Sequence, residues 1–422
     1  MNIRMSIILS TGIIMARYGY DQMNPTLWLI LLLVMTSMAI VLRKWIQSQC
    51  ILFYICLFLL GGLLTSYQEC RNRKPVTYFT MDELSEQDWF LTTAQERRAE
   101  TEQKLKGSGI ENEDFGVIAA MAMGDKTALD KDTKEVYSVA GASHVLAVSG
   151  LHISIIFQLL IMLLGGNRRH IFVILSALVA IWMYVLFIGM PASAVRSATM
   201  LSVYGFVTMT RRNKNSLRSL SIAFTIMLLC NPLYLFDLSF QMSFAAVGSI
   251  IVFLPLLSSL YHPTHRLSQW IWGMLCVSAA AQIGTLPLIT YYFGRISCYS
   301  LLTTFIAIPA AMGILYLCCM LMLMSPFLLL SPTVSLFSWL ITWVAKALVV
   351  ITHFANTAFH LTSMAPGASI DGIHFPLPIL FIIYAALGLV YAGWIKMKRI
   401  RNKMARSQED FSPENALFTN YR

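Results

Sequence analysis

Charged residues are scarce in this chain. Asp, Glu, Lys and Arg together make up 12% of its 422 residues, whereas 57% of the residues are hydrophobic. Soluble globular domains carry about 25% charged residues, so the composition excludes a set of soluble domains. Apolar runs of helical length recur from end to end instead. Because about 20 apolar residues of helix cross the core of a bilayer, we predict an all-α polytopic membrane protein.

About twelve membrane-spanning helices are predicted from these apolar runs. They begin near residues 5, 26, 50, 145, 171, 194, 217, 240, 270, 300, 335 and 376. The first run follows Arg4 and has no small-residue cleavage site after it. We therefore interpret it as a membrane anchor rather than a signal peptide.

Acidic residues are outnumbered, with 21 Asp and Glu against 31 Lys and Arg and a formal net charge of +10. Such a charge would suit a nucleic-acid partner through contacts with phosphates. The basic residues, however, cluster in alternate loops and in the tail KMKRIRNKMAR, as membrane orientation requires. This pattern predicts cytoplasmic N and C termini and places residues 68 to 144 outside. The tail could also contact anionic lipid headgroups.

Four regions are predicted along the chain. Residues 1–67 form N-terminal transmembrane segments, 68–114 an extracytoplasmic charged helical insertion, 115–395 the main transmembrane domain and 396–422 a basic cytoplasmic tail. The insertion is too short for a large core of its own. The stretch from 111 to 142, which contains an apolar helix, is expected to form a surface platform.

Motifs for metal, nucleotide and cofactor binding are missing. No cysteine pair has metal-finger spacing, although Cys70 and Cys298 both fall on the predicted outer side and are candidates for a disulfide. GDKT at 124–127 lacks the residue order of a phosphate-binding loop. His144 and His152 are eight residues apart and would not share a helix face. We predict no metal site, no cofactor and no catalytic site.

Polar residues interrupt the apolar pattern at SHVLAVSGLHIS, residues 143–154. Polar groups are costly in hydrocarbon, so this stretch is a candidate functional site. We expect Ser149 and Gly150 to loosen the helix there, which membrane proteins tolerate where the backbone is buried or faces water. Ser149 and His152 are one helical turn apart, which leaves an intramembrane Ser/His hydrolase open as an alternative. That alternative needs a third catalytic group, and no acidic residue lies nearby in sequence.

Three predicted helices carry polar or small residues at helical spacing. They are Asp237, Gln241, Ala245 and Gly248; Ser278, Gln282 and Thr285; and Ser193, Arg196 and Ser197. A charge at the centre of a membrane helix costs about 3 kcal/mol or more, so Arg196 should face protein or water, with Asp237 as its partner. These polar residues could serve only to hold helices together through hydrogen bonds. Because three helices carry such a polar stripe, we favour the alternative that the stripes line a passage through the membrane.

These residues lie in motifs that resemble a known family. GASHVLAVSGLHIS is similar to the hallmark of the ComEC-type competence family, whose members pass transforming DNA into the bacterial cytoplasm. MGDKTAL, GMPASAVRSATM, NPLYLFDLSFQMSF and AAQIGTLPL resemble further family motifs in the same order, over roughly residues 115 to 310. Ser197 and Ser239 depart from the alanine and glycine that are usual there. The resemblance implies a channel for single-stranded DNA in the cytoplasmic membrane that is not an enzyme.

The resemblance also implies which residues form the channel. Those expected to line the DNA path are His144, Ser149, His152, Arg196, Asp237, Gln241 and Gln282; those expected to support the motifs are Asp125, Gly150, Ser193, Ser278 and Thr285. Arg196 would meet phosphates, the serine and histidines would hydrogen-bond in the constriction, and Asp237 would hold Arg196.

The partners that the resemblance implies are single-stranded DNA, the lipid bilayer, a cytoplasmic ATPase and an extracytoplasmic DNA receptor, and a homodimer is a candidate assembly. Larger members of the family carry a C-terminal metallo-β-lactamase-like domain. Its H-x-H-x-D-H motif is missing from this sequence, so we expect the channel core alone. A transporter for small molecules or lipids remains an alternative, because it would also line a path with polar residues.

Overall fold

The computed structural model describes residues 3–19, 25–42, 46–73, 112–125, 127–165, 171–209, 216–330 and 335–410. Nearly all of these residues are helical, which confirms the predicted all-α class. Most of the predicted insertion, at 74–111, and the end of the predicted tail, at 411–422, lie outside the described residues.

The described part of the chain contains fourteen α-helices. They are α1 Ile3–Tyr18, α2 Pro25–Val41, α3 Ile46–Arg73, α4 Asn112–Ile118, α5 Lys131–Val139, α6 Gly150–Leu163, α7 Ile171–Phe187, α8 Ala192–Met209, α9 Ser216–Cys230, α10 Leu238–Ser258, α11 Arg266–Phe293, α12 Ser300–Leu330, α13 Ser335–Ser363 and α14 Leu377–Asp410. A π-helical turn, Ala119–Met123, extends α4, and a 3-10 turn, Pro232–Phe236, precedes α10. Strands β1 Arg295–Ser297 and β2 Ser369–Asp371 form a two-stranded sheet.

Each of the predicted membrane segments contains one of these helices. Six described helices are long and apolar enough to cross a membrane: Gln49–Asn72, Leu238–Ser258, Arg266–Phe293, Ser300–Leu321, Trp339–Ser363 and Leu377–Ile400. Four shorter apolar helices are α2, α6, α7 and α9. The protein is therefore membrane-embedded, and the number of twelve spans stays a prediction.

The chain divides into two compact units. The first comprises Met1–Val247 and Ser297–Ser369, and the second comprises Gly248–Ile296 and Ile370–Arg422. The boundary between Val247 and Gly248 falls inside α10, so residues of this helix belong to both units.

The core of the first unit is built around α4 and its π-helical turn. Val117, Ile118 and Ala120 are fully buried and belong to a cluster that draws on α6, α7, α8, α12 and α13. The expectation of a surface platform is wrong for this stretch. Its sequence FGVIAAMAM is apolar all round, and a helix without a polar face is buried rather than laid on a surface.

A second cluster in the first unit joins α1, α9 and α10. Leu9, Ile13, Leu228 and Phe240 are buried together in this cluster. Nearby, the Ser6 hydroxyl lies 3.0 Å from the Thr225 hydroxyl, so a pair of small polar groups also connects α1 to α9. Interhelical hydroxyl contacts of this kind hold helices together in lipid, where packing and hydrogen bonds replace the hydrophobic effect.

In the second unit, side-chain hydroxyls bind the backbone of neighbouring helices. The Ser249 hydroxyl donates to the carbonyl of Ala280 at 2.6 Å, and the Tyr384 hydroxyl donates to the carbonyl of Gly284 at 2.6 Å. These bonds connect α11 to α10 and to α14. Cys70 and Cys298, the candidate disulfide pair, are exposed free thiols of the first unit.

Helices α1 and α3 approach closely through glycines, so we expect Gly12→Ala to destabilise the protein. A Cβ at Gly12 would collide with the backbone oxygen of Phe58, and a Cβ at Gly61 would lie 2.6 Å from that of Leu9. Overpacking costs about 1–3 kcal/mol, so the unfolding temperature of the detergent-purified protein should fall.

Gly273→Ala is the matched control for that experiment. Gly273 lies in α11 with no atom within 4 Å of an added Cβ, so alanine there should leave the unfolding temperature unchanged or raise it. Equal unfolding temperatures for the Gly12 and Gly273 variants would contradict the close packing of α1 on α3.

Candidate functional site

The polar motif adopts a non-helical conformation before a short helix. We name residues 142–149 the motif segment; they are non-helical, and α6 begins at Gly150 rather than near residue 145 as predicted. With 14 residues, α6 is about 21 Å long, less than the roughly 30 Å of a bilayer core. The expected loosening at Ser149 and Gly150 is thus a helix start. No helix face is shared by His144 and His152, because His144 precedes the helix.

Backbone carbonyls within and before the motif segment are held by hydroxyl groups from other elements. Four carbonyls each accept one such hydrogen bond: Ala122 from Tyr184 at 2.8 Å, Val139 from Ser297 at 2.9 Å, Ala140 from Thr303 at 2.9 Å and Val148 from Ser193 at 2.5 Å. Backbone carbonyls that leave a helix need such partners when they are buried. The motif segment and the residues just before it are therefore held from α8, α12 and β1, and the π-helical turn is held from α7.

Ser149 and His152 form the cap of α6. Nδ1 of His152 accepts a hydrogen bond from the backbone N–H of Ser149 at 2.9 Å and lies 3.0 Å from the Ser149 hydroxyl. Because Nδ1 accepts, a neutral His152 ring carries its proton on Nε2. Nε2 is buried and has no hydrogen-bond partner among the described residues. His152 itself is fully buried.

The contact that a Ser/His hydrolase requires is thus present, but its geometry is that of a helix cap. The nitrogen that faces Ser149 is already bound to a backbone N–H, so it is a poor general base. A carboxylate that orients the ring would have to bind Nε2, which has no partner in the described part of the chain. The arrangement supports a structural role for the pair.

Arg196 is buried in a polar cluster at the start of α8. It is 2% exposed, and its Nη1 lies 3.4 Å from Oδ2 of Asp237, so the predicted pairing of these residues is confirmed. Nη2 donates to the hydroxyl of Ser239. Nε is buried without a hydrogen-bond partner among the described residues. The sequence showed Ser239 only as a departure from the usual glycine, whereas the structure makes it a second partner of the guanidinium.

Asp237 lies before α10 rather than on a face of it, which corrects the predicted stripe. Its backbone is extended, and Oδ1 accepts a hydrogen bond from the N–H of Ser239 at 3.2 Å. Gln241 lies in the first turn of α10, and its amide donates to the carbonyl of Leu235 at 3.0 Å. Helix α10 starts here because the Asp237 carboxylate accepts a hydrogen bond from one of the free N–H groups of its first turn.

Close contacts connect the motif segment to the neighbouring turns. A Cβ at Gly150 would lie 2.9 Å from the Ser197 hydroxyl, and a Cβ at Gly124 would lie 3.4 Å from the Val148 side chain. The next residue, Asp125, accepts hydrogen bonds from the backbone N–H and hydroxyl of Thr127, and so fixes that turn. The structure thereby brings together the turn at Asp125, the motif segment and the start of α8.

The remaining predicted site residues are His144, which belongs to the motif segment, and three residues of α11. His144 is exposed. Ser278, Gln282 and Thr285 lie on α11 in the second unit, where Gln282 Nε2 is 3.4 Å from the Ser278 hydroxyl and Thr285 donates to the carbonyl of Ala281. A role for these residues in a DNA path stays a prediction. The described residues contain no group of three or more side chains suited to a metal ion.

The first unit also contains a hydrogen-bond network, with buried Asp114 and Tyr137, that was not predicted from the sequence. Asp114, Tyr137 and Asn356 come from α4, α5 and α13 and are connected by two hydrogen bonds. The available signal was Asn356, an amide inside the apolar helix Trp339–Ser363, where such a group needs partners. The partners could not be identified because they lie more than two hundred residues away in sequence.

Known proteins and a family model match this chain over most of the predicted transmembrane domain. The family model for Competence protein matches residues 121–397. ComE operon protein 3 of Bacillus subtilis is 29% identical over 282 residues, which are 64% of this chain and 34% of that relative. Recombination protein 2 of Haemophilus influenzae is 24% identical over 213 residues, 46% of this chain and 26% of that relative. No solved structure matches the chain.

The contact between Gly150 and Ser197 generates a prediction. We expect Gly150→Ala to lower the unfolding temperature, because the added methyl group meets the Ser197 hydroxyl and must displace it. Ser197→Ala removes that hydroxyl and should restore the unfolding temperature of the Gly150→Ala protein. An equal loss of stability with and without Ser197→Ala would contradict this contact.

The pair of Arg196 and Asp237 generates a second prediction. We expect Asp237→Ala to cost about 1–3 kcal/mol of unfolding free energy, below the range for a fully buried pair because the Asp237 side chain is 40% exposed. In an Arg196→Met background the same change should cost much less, since no buried charge is then left unpaired. Equal costs in the two backgrounds, measured by denaturation in detergent, would contradict the coupling.

Proposed function

Because the chain belongs to the Competence protein family, we propose that it acts in DNA uptake and carries single-stranded transforming DNA across the bacterial cytoplasmic membrane during natural competence. The matched region comprises about two thirds of the chain. The chain spans only about a third of the length of ComE operon protein 3, so the functions of the remaining parts of that relative are not extended to it.

The observation that carries this proposal is the motif segment. A phosphodiester chain has a charge at every nucleotide and needs a hydrated path, because bare charges in hydrocarbon are prohibitive. Non-helical backbone at membrane depth occurs where it is buried in protein or lines a water-filled cavity. Here such backbone carries exposed His144 and half-buried Ser149 directly before a helix too short to cross a bilayer.

The polar cluster divides into two proposed roles. His144 and Ser149 offer neutral hydrogen-bonding groups to passing DNA. Arg196, held by Asp237 and Ser239, fixes α8 against the start of α10. A direct contact of Arg196 with a phosphate requires that its pair with Asp237 opens, because the guanidinium is almost fully buried.

The partners of this function are also proposals. A cytoplasmic ATPase would supply the pulling force, an extracytoplasmic receptor would deliver the DNA, and the protein would lie in the cytoplasmic membrane with both termini inside. A homodimer stays a candidate assembly.

Entry of labelled DNA into competent cells tests the function. In a deletion strain we expect labelled DNA to reach the outer face of the cells but not the cytoplasm. Expression of the wild-type chain should restore entry. A transporter of small molecules or lipids would leave DNA entry unchanged in the deletion strain, and that result would exclude the proposed function.

A histidine variant tests the motif segment itself. We expect His152→Ala to reduce DNA entry by roughly tenfold, because the start of α6 loses its side-chain cap and the conformation of the motif segment with it. His262→Ala, at an exposed histidine outside the site, is the control and should leave entry at the wild-type level. Normal entry in the His152 variant at normal protein level would discard this role.

A further inference from the structure

A buried network around Asp114 joins three elements of the first unit. Asp114 is 4% exposed, and its Oδ1 accepts a hydrogen bond from the Asn356 amide at 2.8 Å. The Tyr137 hydroxyl donates to Oδ1 of Asn356 at 2.6 Å. His353, one turn before Asn356 on α13, is exposed and places Nδ1 3.7 Å from Oδ2 of Asp114. One amide therefore connects α4 and α5 to α13.

The chemistry of the network fixes the direction of both bonds. Burial raises the pKa of Tyr137, and the neighbouring carboxylate of Asp114 raises it further, so the hydroxyl keeps its proton and donates it. The tyrosine ring is held edge-on to Phe359 of α13, with 4.7 Å between the ring centroids. Asn356 thus accepts from Tyr137 and donates to Asp114.

The network is connected to the motif segment by the chain itself. Helix α5 carries Tyr137 and ends at Val139, two residues before the motif segment. The carbonyls of Val139 and Ala140 accept hydroxyls from Ser297 and Thr303, so the start of the segment follows the position of α5. Only residues 140 and 141 separate α5 from the motif segment, so a displacement of α5 from α13 would reach the segment over two residues.

We propose that Asp114, Asn356 and Tyr137 are positioning residues of the DNA path, which hold α4 and α5 against α13 and thereby fix the motif segment. This inference rests on the proposed function. None of the three residues needs to touch DNA. The network acts through its hydrogen bonds, and the negative charge of Asp114 is not itself required.

Asn356→Asp is the disrupting variant. It places a second carboxylate beside the buried carboxylate of Asp114, and the two like charges repel. We expect the maximal rate of DNA entry, normalised to the amount of protein in the membrane, to fall by roughly tenfold. The DNA concentration at half-maximal entry should stay unchanged, because capture at the outer face does not depend on these residues.

Asp114→Asn in the Asn356→Asp background is the rescuing variant. The amide introduced at position 114 donates to the carboxylate introduced at position 356, which still accepts the Tyr137 hydroxyl. Both hydrogen bonds are then restored: the bond between positions 114 and 356 has its polarity exchanged, and the bond from Tyr137 keeps its direction. Entry should return to within about threefold of wild type. No rescue at normal protein level would overturn the proposal.

Two single variants separate positioning from a need for charge. Asp114→Asn alone keeps a hydrogen bond with Asn356 and should retain most of the entry; Glu113→Gln, which removes the exposed neighbouring carboxylate, is its control. Loss of entry in Asp114→Asn but not in Glu113→Gln would show that the charge itself is required and would overturn the proposal.

Tyr137→Phe addresses the case in which Asn356→Asp does not fold. It removes one hydroxyl, keeps the ring contact with Phe359 and should lower the maximal entry by about threefold at normal protein level. Wild-type entry in this variant would overturn the inference. If the deletion strain imports DNA normally, the proposed function itself fails; if that strain is blocked while Asn356→Asp imports normally, only the positioning role fails.

Discussion

Satisfaction of backbone hydrogen bonds is the constraint on which the rest of this structure depends. A helix satisfies its own backbone in lipid, and any residue that leaves the helix exposes a carbonyl or N–H that needs another partner. Around the motif segment those partners are hydroxyls on α7, α8, α12 and β1, together with the ring of His152. The serines, threonine and tyrosine that donate these bonds therefore share one role. They satisfy backbone carbonyls in and near the irregular stretch.

The same constraint explains how much of the fold could be predicted from the sequence. Apolar runs separated by charge, proline and glycine located the long helices, because hydrophobic length is a local property. The start of α6 was missed by five residues, since Val145 and Leu146 continue the apolar pattern while the backbone is already irregular. The buried π-helical turn at 119–123 was taken for a surface element, because hydrophobicity alone does not say what covers a short helix.

The part of the candidate site that could be predicted is the ion pair, because a buried charge needs a partner of opposite charge. A buried Arg196 requires a negative partner, and Asp237 was the available carboxylate in the neighbouring motif. The contribution of Ser239 was not predictable, because a hydroxyl one residue beyond the helix start has no pattern of its own. The network of Asp114, Tyr137 and Asn356 joins residues 219 and 242 positions apart, and a single sequence does not indicate which distant polar groups meet.

The charge balance of the site bears on how it would serve a polyanion. The described cluster offers one cation, Arg196, whose charge is already matched by Asp237, and otherwise neutral hydroxyl and imidazole groups. A path with unmatched cations would hold phosphates tightly, whereas passage requires that each contact be weak enough to break. Neutral donors on a backbone that is fixed by other helices satisfy both demands, because they lower the barrier to entry without creating a deep binding site. Under the proposed function, the rigidity of the motif segment therefore matters more than its charge.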